Sequence, residues 1–259
     1  MAIITLTTDL GLTDHYLSTI KGAILSQCPD VRIIDISHQI TKHDVFQASF
    51  ILKNAYKSFP KGTIHIIGMN PEAKIDTCHL AIYADGHYFI GADNGIFSLI
   101  FDVAPDKIVE LNITQDTDFL TFPAKDLFVK AACHIARGGT LEVIGRTREG
   151  YLEKIAIRPV LDSNQLRGSV IYIDSYMNVI TNITDKLFKN FCRDRNFAIY
   201  IKNLRYCITQ ISKSYNDVPD GEILALFSST GHLELAINKG CASELMGLNL
   251  NDIIRIELK

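Results

Sequence analysis

The chain has 259 residues, 47% of them hydrophobic and 21% charged, with 16 Gly and 7 Pro; this composition excludes a disordered or fibrous protein and leaves room for one large or two modest domains. A net charge of −3 gives no basic surplus to hold a phosphate backbone, so nucleic acid is not an expected partner. No apolar run approaches the roughly 18 residues that would span a bilayer, and the amino terminus carries Asp9 and no basic run, which argues against a secretory leader and for a cytoplasmic location.

In chain order, Ala2 to Thr8 is the first expected strand. Thr13 or Asp14 is placed to cap a helix with Leu17, Ile20 and Ile24 on one face, ending before Pro29. Val31 to Ile36 is a second strand, Asp44 opens a helix with Val45, Ala48, Leu52 and Ala55 on one side, and Thr63 to Gly68 is a third strand. Leu80 to Tyr83 and Tyr88 to Gly91 flank Asp85-Gly86, a hairpin signal. Asp93-Asn94-Gly95 is a further turn, and a helix from about Asp126 to Arg137 closes this half at two glycines. Beyond about residue 160 the texture becomes short β-branched runs between polar turns: Ser169 to Ile173, Val179 to Ile183, Phe197 to Ile201, Ile223 to Phe227 and His232 to Ile237. The expected architecture is therefore an α/β amino-terminal domain (1–158), a linker at about 159–167, and a smaller all-β, barrel-like carboxy-terminal domain (168–259).

The six cysteines form no CxxC pair and read as reduced and mostly packed, and the acidic and imidazole groups near Asp9 match no ligand spacing, so no metal site is expected. Cys78 sits in a polar stretch where a thiolate is conceivable, but no base lies near it in sequence. Asp9 ends the first strand, where α/β sheets bind ligands, and its carboxylate suits a vicinal diol; its other reading is that it satisfies its own turn. Asp14 reads as a helix cap, and His38 and His43 as hydrogen-bonders within a loop. The segment Asp174-Ser175-Tyr176-Met177-Asn178 offers a carboxylate, hydroxyls and an amide in one turn, and Ser228-Ser229-Thr230-Gly231 reads as a hairpin turn whose N–H groups are placed for an anion.

Together these segments resemble the S-adenosyl-L-methionine (SAM) hydroxide adenosyltransferases, the family that also contains the fluorinases and chlorinases. The resemblance spans nearly the whole chain and rests on Thr7-Thr8-Asp9-Leu10-Gly11 with Asp14, Asp35-Ile36-Ser37-His38, Asp93-Asn94-Gly95 and Lys125-Asp126-Leu127-Phe128. Its later carriers are Asp174 through Asn178 into Thr181-Asn182-Ile183, and Ser228 to Gly231 with Asn238. It implies a homotrimer with its site between one subunit's first domain and a neighbour's second, SAM as substrate or ligand, and no cofactor. Asp9 would hold the ribose hydroxyls with Asp14 close by, and Phe122 would lie by the nucleoside. Asp174 and Asn178 would contact the methionine portion and the adenine side, Tyr215 would stack on adenine, and Ser229 would hold the methionine carboxylate.

The implied chemistry is displacement at the ribose 5′ carbon, giving adenosine and L-methionine when water attacks. Hydrolytic members orient that water with an Asp-Arg-His set, and here the chain departs: Asn70 stands at the Asp position, Thr77 or Cys78 at the Arg position, and Pro123 follows Phe122 where the hydrolases carry His. Thr230 and Ile237 stand where halogenating relatives carry Arg. An amide takes no proton, threonine has no charge and proline has no side-chain donor. Repair from the same loop points to His79, Asp76 or Glu72 as a base, with Asn70 itself a further candidate; the alternatives are an inactive SAM- or adenosine-binding homo-oligomer, or transfer to a different nucleophile.

Overall fold

In a computed structural model, residues 1–71, 78–115, 120–193, 195–202 and 207–259 are described. The chain divides into two compact units, Met1–Ile155 and Ala156–Lys259.

In the first unit, β1 (Ile3–Thr8) is followed by α1 (Tyr16–Gln27), β2 (Arg32–Ser37), α2 (Val45–Ala55), β3 (Ile64–Gly68) and the hairpin of β4 (His79–Ala84) and β5 (His87–Ala92). Next come α3 (Ile96–Ile100), β6 (Lys107–Leu111), a π-helical turn (Ala124–Phe128) running into α4 (Val129–Ala136), α5 (Leu141–Ile144) and β7 (Gly145–Thr147). The strands form one mixed sheet in the order β2-β1-β3-β5-β4-β6-β7. Its first four strands are parallel, and β4, β6 and β7 run antiparallel to their neighbours.

Alternation along the central strands loads both faces with apolar side chains, as a sheet covered on each side requires. Ile4, Leu6, Ile64, Ile66, Ala81 and Ile90 point to one side and pack against α1 and α4 through Leu17, Ile20, Ile24, Phe128 and Val129. Ile67, Leu80, Ile82 and Phe89 point to the other and meet Val45, Ala48 and Leu52 of α2 and Phe97 of α3. The hairpin turn has φ +50 at Asp85 and +78 at Gly86, the two left-handed residues that a tight two-residue connection requires.

The expected cap of α1 is corrected: the residue at its amino end is His15, with no side-chain cap, and Asp14 lies exposed ahead of it. By contrast Asp44 does cap α2, accepting the N–H groups of Phe46 and Gln47.

The second unit comprises β8 (Val160–Leu161), β9 (Gln165–Ile173), β10 (Val179–Thr184), α6 (Asp185–Cys192), β11 (Phe197–Ile201), β12 (Cys207–Ile208), β13 (Ile223–Phe227), β14 (His232–Ile237), α7 (Ala242–Met246) and β15 (Ile253–Leu258). Every strand pair is antiparallel, in the order β12-β11-β15-β9-β10-β14-β13 with β8 on β9. A bridge from Ser212, just past β12, to Leu226 of β13 brings the two edges together, so the sheet nearly closes into a barrel around Leu166, Val170, Ile183, Leu233, Leu235 and Ile256.

Two features differ from the sequence reading. The unit carries α6 and α7 and so is not purely β, because Thr184 caps a short amphipathic segment whose Phe188 and Phe191 reach the barrel core. Residues 159–167, read as linker, hold β8 and the start of β9. Cys28, Cys133 and Cys192 are buried, Cys78 is half-buried, and Cys207 and Cys241 are exposed, all as free thiols. Among the described residues no helix is long and apolar enough to cross a membrane.

Candidate active site

Because β1, β3 and β5 are parallel, the residues leaving their carboxyl ends, Asp9, Asn70 and Asn94, emerge on one edge of the sheet. Open α/β sheets bind ligands at that edge. A cavity of about 740 Å³ opens there, with Asp9, Asn70 and Asn94 in its wall. Tyr16 at the start of α1, Phe122 ahead of the π-helical turn, Lys42 and His43 ahead of α2, and Lys154 complete the part of the lining that matters below. Tyr16 and Phe122 meet edge to face at 5.4 Å between ring centres, giving the cavity an aromatic wall.

Asp9 is 7% exposed. Its Oδ2 accepts the backbone N–H of His43 at 2.8 Å, and the Lys42 ammonium donates to its carbonyl oxygen. The same two loops are joined again by the Gly11 N–H, which donates to the His38 carbonyl at 2.8 Å. His38 is buried, with Nδ1 2.7 Å from the Thr8 hydroxyl and Nε2 3.1 Å from Asp35. These bonds hold the Asp9 loop against the chain from His38 to His43, so the carboxylate meets a ligand without first being ordered.

Across the cavity mouth the His43 ring is hydrogen-bonded through Nδ1 to Asn70 Oδ1, and Asn70 Nδ2 lies 3.5 Å from the His43 carbonyl oxygen. Both residues are left-handed, with φ +66 and +45, a conformation costly to side chains and retained where surrounding structure imposes it. Part of that structure is Asn94, whose Nδ2 donates to the Met69 carbonyl at 2.8 Å while its Oδ1 accepts from the Ile96 N–H, fixing the turn that presents Asn70.

Of the residues singled out by sequence, Asp9, Asn70 and Phe122 meet in this cavity, and the exposed Asp14 is not in its lining. His79 is 7% exposed, its Nε2 lies 2.7 Å from the Pro71 carbonyl oxygen, and its ring edge meets Phe128. Burial holds its pKa below the ordinary imidazole value. It braces the chain beside Asn70 and does not line the cavity. Glu72, Asp76 and Thr77 lie outside the described residues. Pro123 opens the π-helical turn. Cys78 is not in the cavity lining; partial burial raises its pKa despite the Arg148 guanidinium against its sulfur, and Arg148 is itself paired with Asp93 at 3.1 Å and Glu110 at 3.4 Å.

In the second unit, Asp174 Oδ1 accepts the N–H groups of Tyr176 and Asn178 at 2.9 and 2.8 Å, and its Oδ2 accepts from the Asn178 amide at 3.2 Å. The Tyr215 hydroxyl donates to Glu234 at 2.6 Å, and burial of Glu234, with Asp174 nearby, raises that carboxyl's pKa. Ser229 lies in the turn between β13 and β14, closed by the Gly231 N–H donating to the Ser228 carbonyl. Sequence reasoning did not assign Lys42, Lys154, Tyr16 or Asn94 to a site, and gave His43 only a loop role. The parallel order β2-β1-β3-β5 is the signal that gathers Lys42, His43 and Asn94, which follow β2 and β5; it does not reach Tyr16 or Lys154.

The cavity thus brings a buried carboxylate, two amides and an aromatic wall to the carboxyl edge of parallel strands, where open α/β sheets bind ligands. The chain matches the SAM hydroxide adenosyltransferase N-terminal domain over residues 4–145 and the C-terminal domain over 168–255, and it belongs to that family. It is similar to the (R)-S-adenosyl-L-methionine hydrolase of Thermus thermophilus, with 26% identity covering 96% of each chain. The protein of the same name from Methanocaldococcus jannaschii is 27% identical over 98% of this chain and 95% of its own. A solved structure of an uncharacterized conserved protein from Thermotoga maritima superposes with a TM-score of 0.89 at 28% identity, covering 98% of this chain and 99% of that one.

Proposed function

We propose that this protein hydrolyses SAM to adenosine and L-methionine by displacement at the ribose 5′ carbon. The observation that carries the reading is the buried Asp9 carboxylate at the mouth of a nucleoside-sized cavity, in a chain similar to SAM hydrolases along both of its units. A carboxylate accepts two hydrogen bonds from the ribose diol with charge assistance. Phe122 offers a flat apolar surface to the nucleoside. The sulfonium leaves as a neutral thioether and needs no general acid, so the protein's task is to align water, carbon and sulfur and to accept a proton from the water.

The remaining contacts come from the second unit of a neighbouring copy in a homotrimer. Asp174 and Asn178 hold the methionine portion and the adenine side, Tyr215 stacks on adenine, Ser229 takes the methionine carboxylate, and Asp14 lies near the ribose. Support for these roles is family membership together with the preorganised Asp174–Asn178 turn.

Purified protein incubated with SAM should release adenosine and methionine in equal amounts, in excess over protein and over a protein-free blank, and should sediment with the mass of three chains. Intact SAM after hours at protein concentrations that bind it would overturn the hydrolase reading, and a monomer would overturn the shared site.

A further inference from the structure

By the resemblance described above, Asn70 and Pro123 stand where hydrolytic members carry the Asp and the His of their water-orienting set. On the hydrolase reading, some other group must take the proton of the attacking water. We infer that His43, held by Asn70, is that group: its Nε2 accepts the proton as the water oxygen attacks the 5′ carbon.

The tautomer follows from the partner. Asn70 Oδ1 is a carbonyl oxygen and can only accept, and the amide orientation that places it there also turns Nδ2 toward the His43 carbonyl oxygen. The His43 Nδ1 therefore carries the hydrogen in the neutral ring, which leaves a lone pair on Nε2. A carboxylate at position 70 would hold the same tautomer but would also stabilise the imidazolium. A carboxamide fixes the orientation of the ring without adding a charge and leaves the Nε2 lone pair as the acceptor.

Both residues line the cavity and both are left-handed, and the His43 backbone N–H is anchored on the Asp9 carboxylate. The ring is thereby tied to the residue that holds the ribose. The charged or titratable groups around it are Lys42 and Asp44, its neighbours in the chain, and Asp9, Tyr16 and Lys154 in the cavity lining. His38 and His79 do not compete: both rings are buried, His38 between Thr8 and Asp35 and His79 on the Pro71 carbonyl. His43 is exposed, so the proton it gains passes to solvent.

The step balances. A water lone pair forms the C5′–O bond, the C5′–S bond breaks with its electron pair going to sulfur, the cationic sulfonium becomes neutral methionine, and one proton moves from water to Nε2.

The test is His43→Gly, which suits φ +66 without strain and so keeps the loop. Turnover should fall about 100-fold, SAM affinity by calorimetry should stay within about threefold, and added imidazole should restore part of the rate in the variant while leaving the unaltered protein unchanged. Full turnover in the variant, loss of SAM affinity together with turnover, or a loss that imidazole does not relieve would overturn the role of His43 and leave the hydrolase reading standing. Absence of turnover in the unaltered protein that still binds SAM would overturn both.

Discussion

One Asp9 oxygen is tied to the His43 N–H, and on the hydrolase reading the carboxylate also receives the ribose diol. Removing it costs charge-assisted hydrogen bonds of about 1.5 to 3 kcal/mol, so Asp9→Ala should weaken SAM binding by roughly 10- to 100-fold. Asp9→Asn keeps an acceptor for His43 but loses the charge, and should fall between the two. Calorimetric titration with SAM reads both, and unchanged affinity in Asp9→Ala would remove the ribose role. Asp9 was legible in the sequence as the end of a strand in an α/β pattern, where position suits a ligand contact and its own turn alike; the structure puts it in the cavity wall and on the His43 N–H. His43 was legible only as a loop residue, since its partner Asn70 stands 27 positions away and the two meet through the parallel order β2-β1-β3, which brings the chain after β2 beside the chain after β3. The same limit applies to His79: the sequence placed an imidazole beside the altered motif, but whether its ring faces the cavity or the core is decided by the packing of Phe128.

At the scale of elements, helix starts separate what a sequence states from what it suggests. Asp44 and Asp14 both precede amphipathic helices and both suit a cap, yet only Asp44 stands at the cap position, where its backbone is extended and its side chain accepts two N–H groups, each at 3.0 Å, while His15 holds that position in α1. Asp44→Ala should therefore lower stability by about 1 kcal/mol, shifting the urea midpoint with little change in slope. Asp14→Ala should leave the midpoint within about 0.5 kcal/mol of the parent. Equal effects from the two would contradict the cap assignment. The strands of strict alternation or continuous apolar character were legible to within a few residues. β15 was missed although Ile254 and Ile256 alternate with charged residues, a signal that was there to be found. The short elements α3, α5, α6 and α7 were not legible, because four to eight residues carry too little periodicity and tertiary packing decides their state.

For the whole molecule, titration should act unequally on the two units. Seven of the eight histidines lie in Met1–Ile155, and four of those, His38, His65, His79 and His87, are buried in or beside its sheet. His65 on β3 is fully buried, 2.7 Å from the Thr5 hydroxyl and 3.4 Å from His87. Burial, and then repulsion from His87, push its pKa from 6.5 down to about 3. Because the folded ring resists a proton that the unfolded chain accepts, the unfolded state binds more protons between those values, and stability is lost as pH falls through that window. The slope approaches about 1.4 kcal/mol per pH unit for one such group. Burial moves His79 and His87 in the same direction. The carboxylates of Asp35, Asp85 and Asp252 are held below their ordinary value of 3.8, and so add to acid loss only at lower pH. Between pH 6.5 and about 4.5 the decline in thermal midpoint should therefore come from histidines of the first unit, and His65→Gln should show a shallower decline even if its midpoint at pH 7 is lower. A slope in this range that the substitution leaves untouched would mean that His65 keeps an ordinary affinity for protons despite its burial, and would place the acid sensitivity elsewhere in the chain.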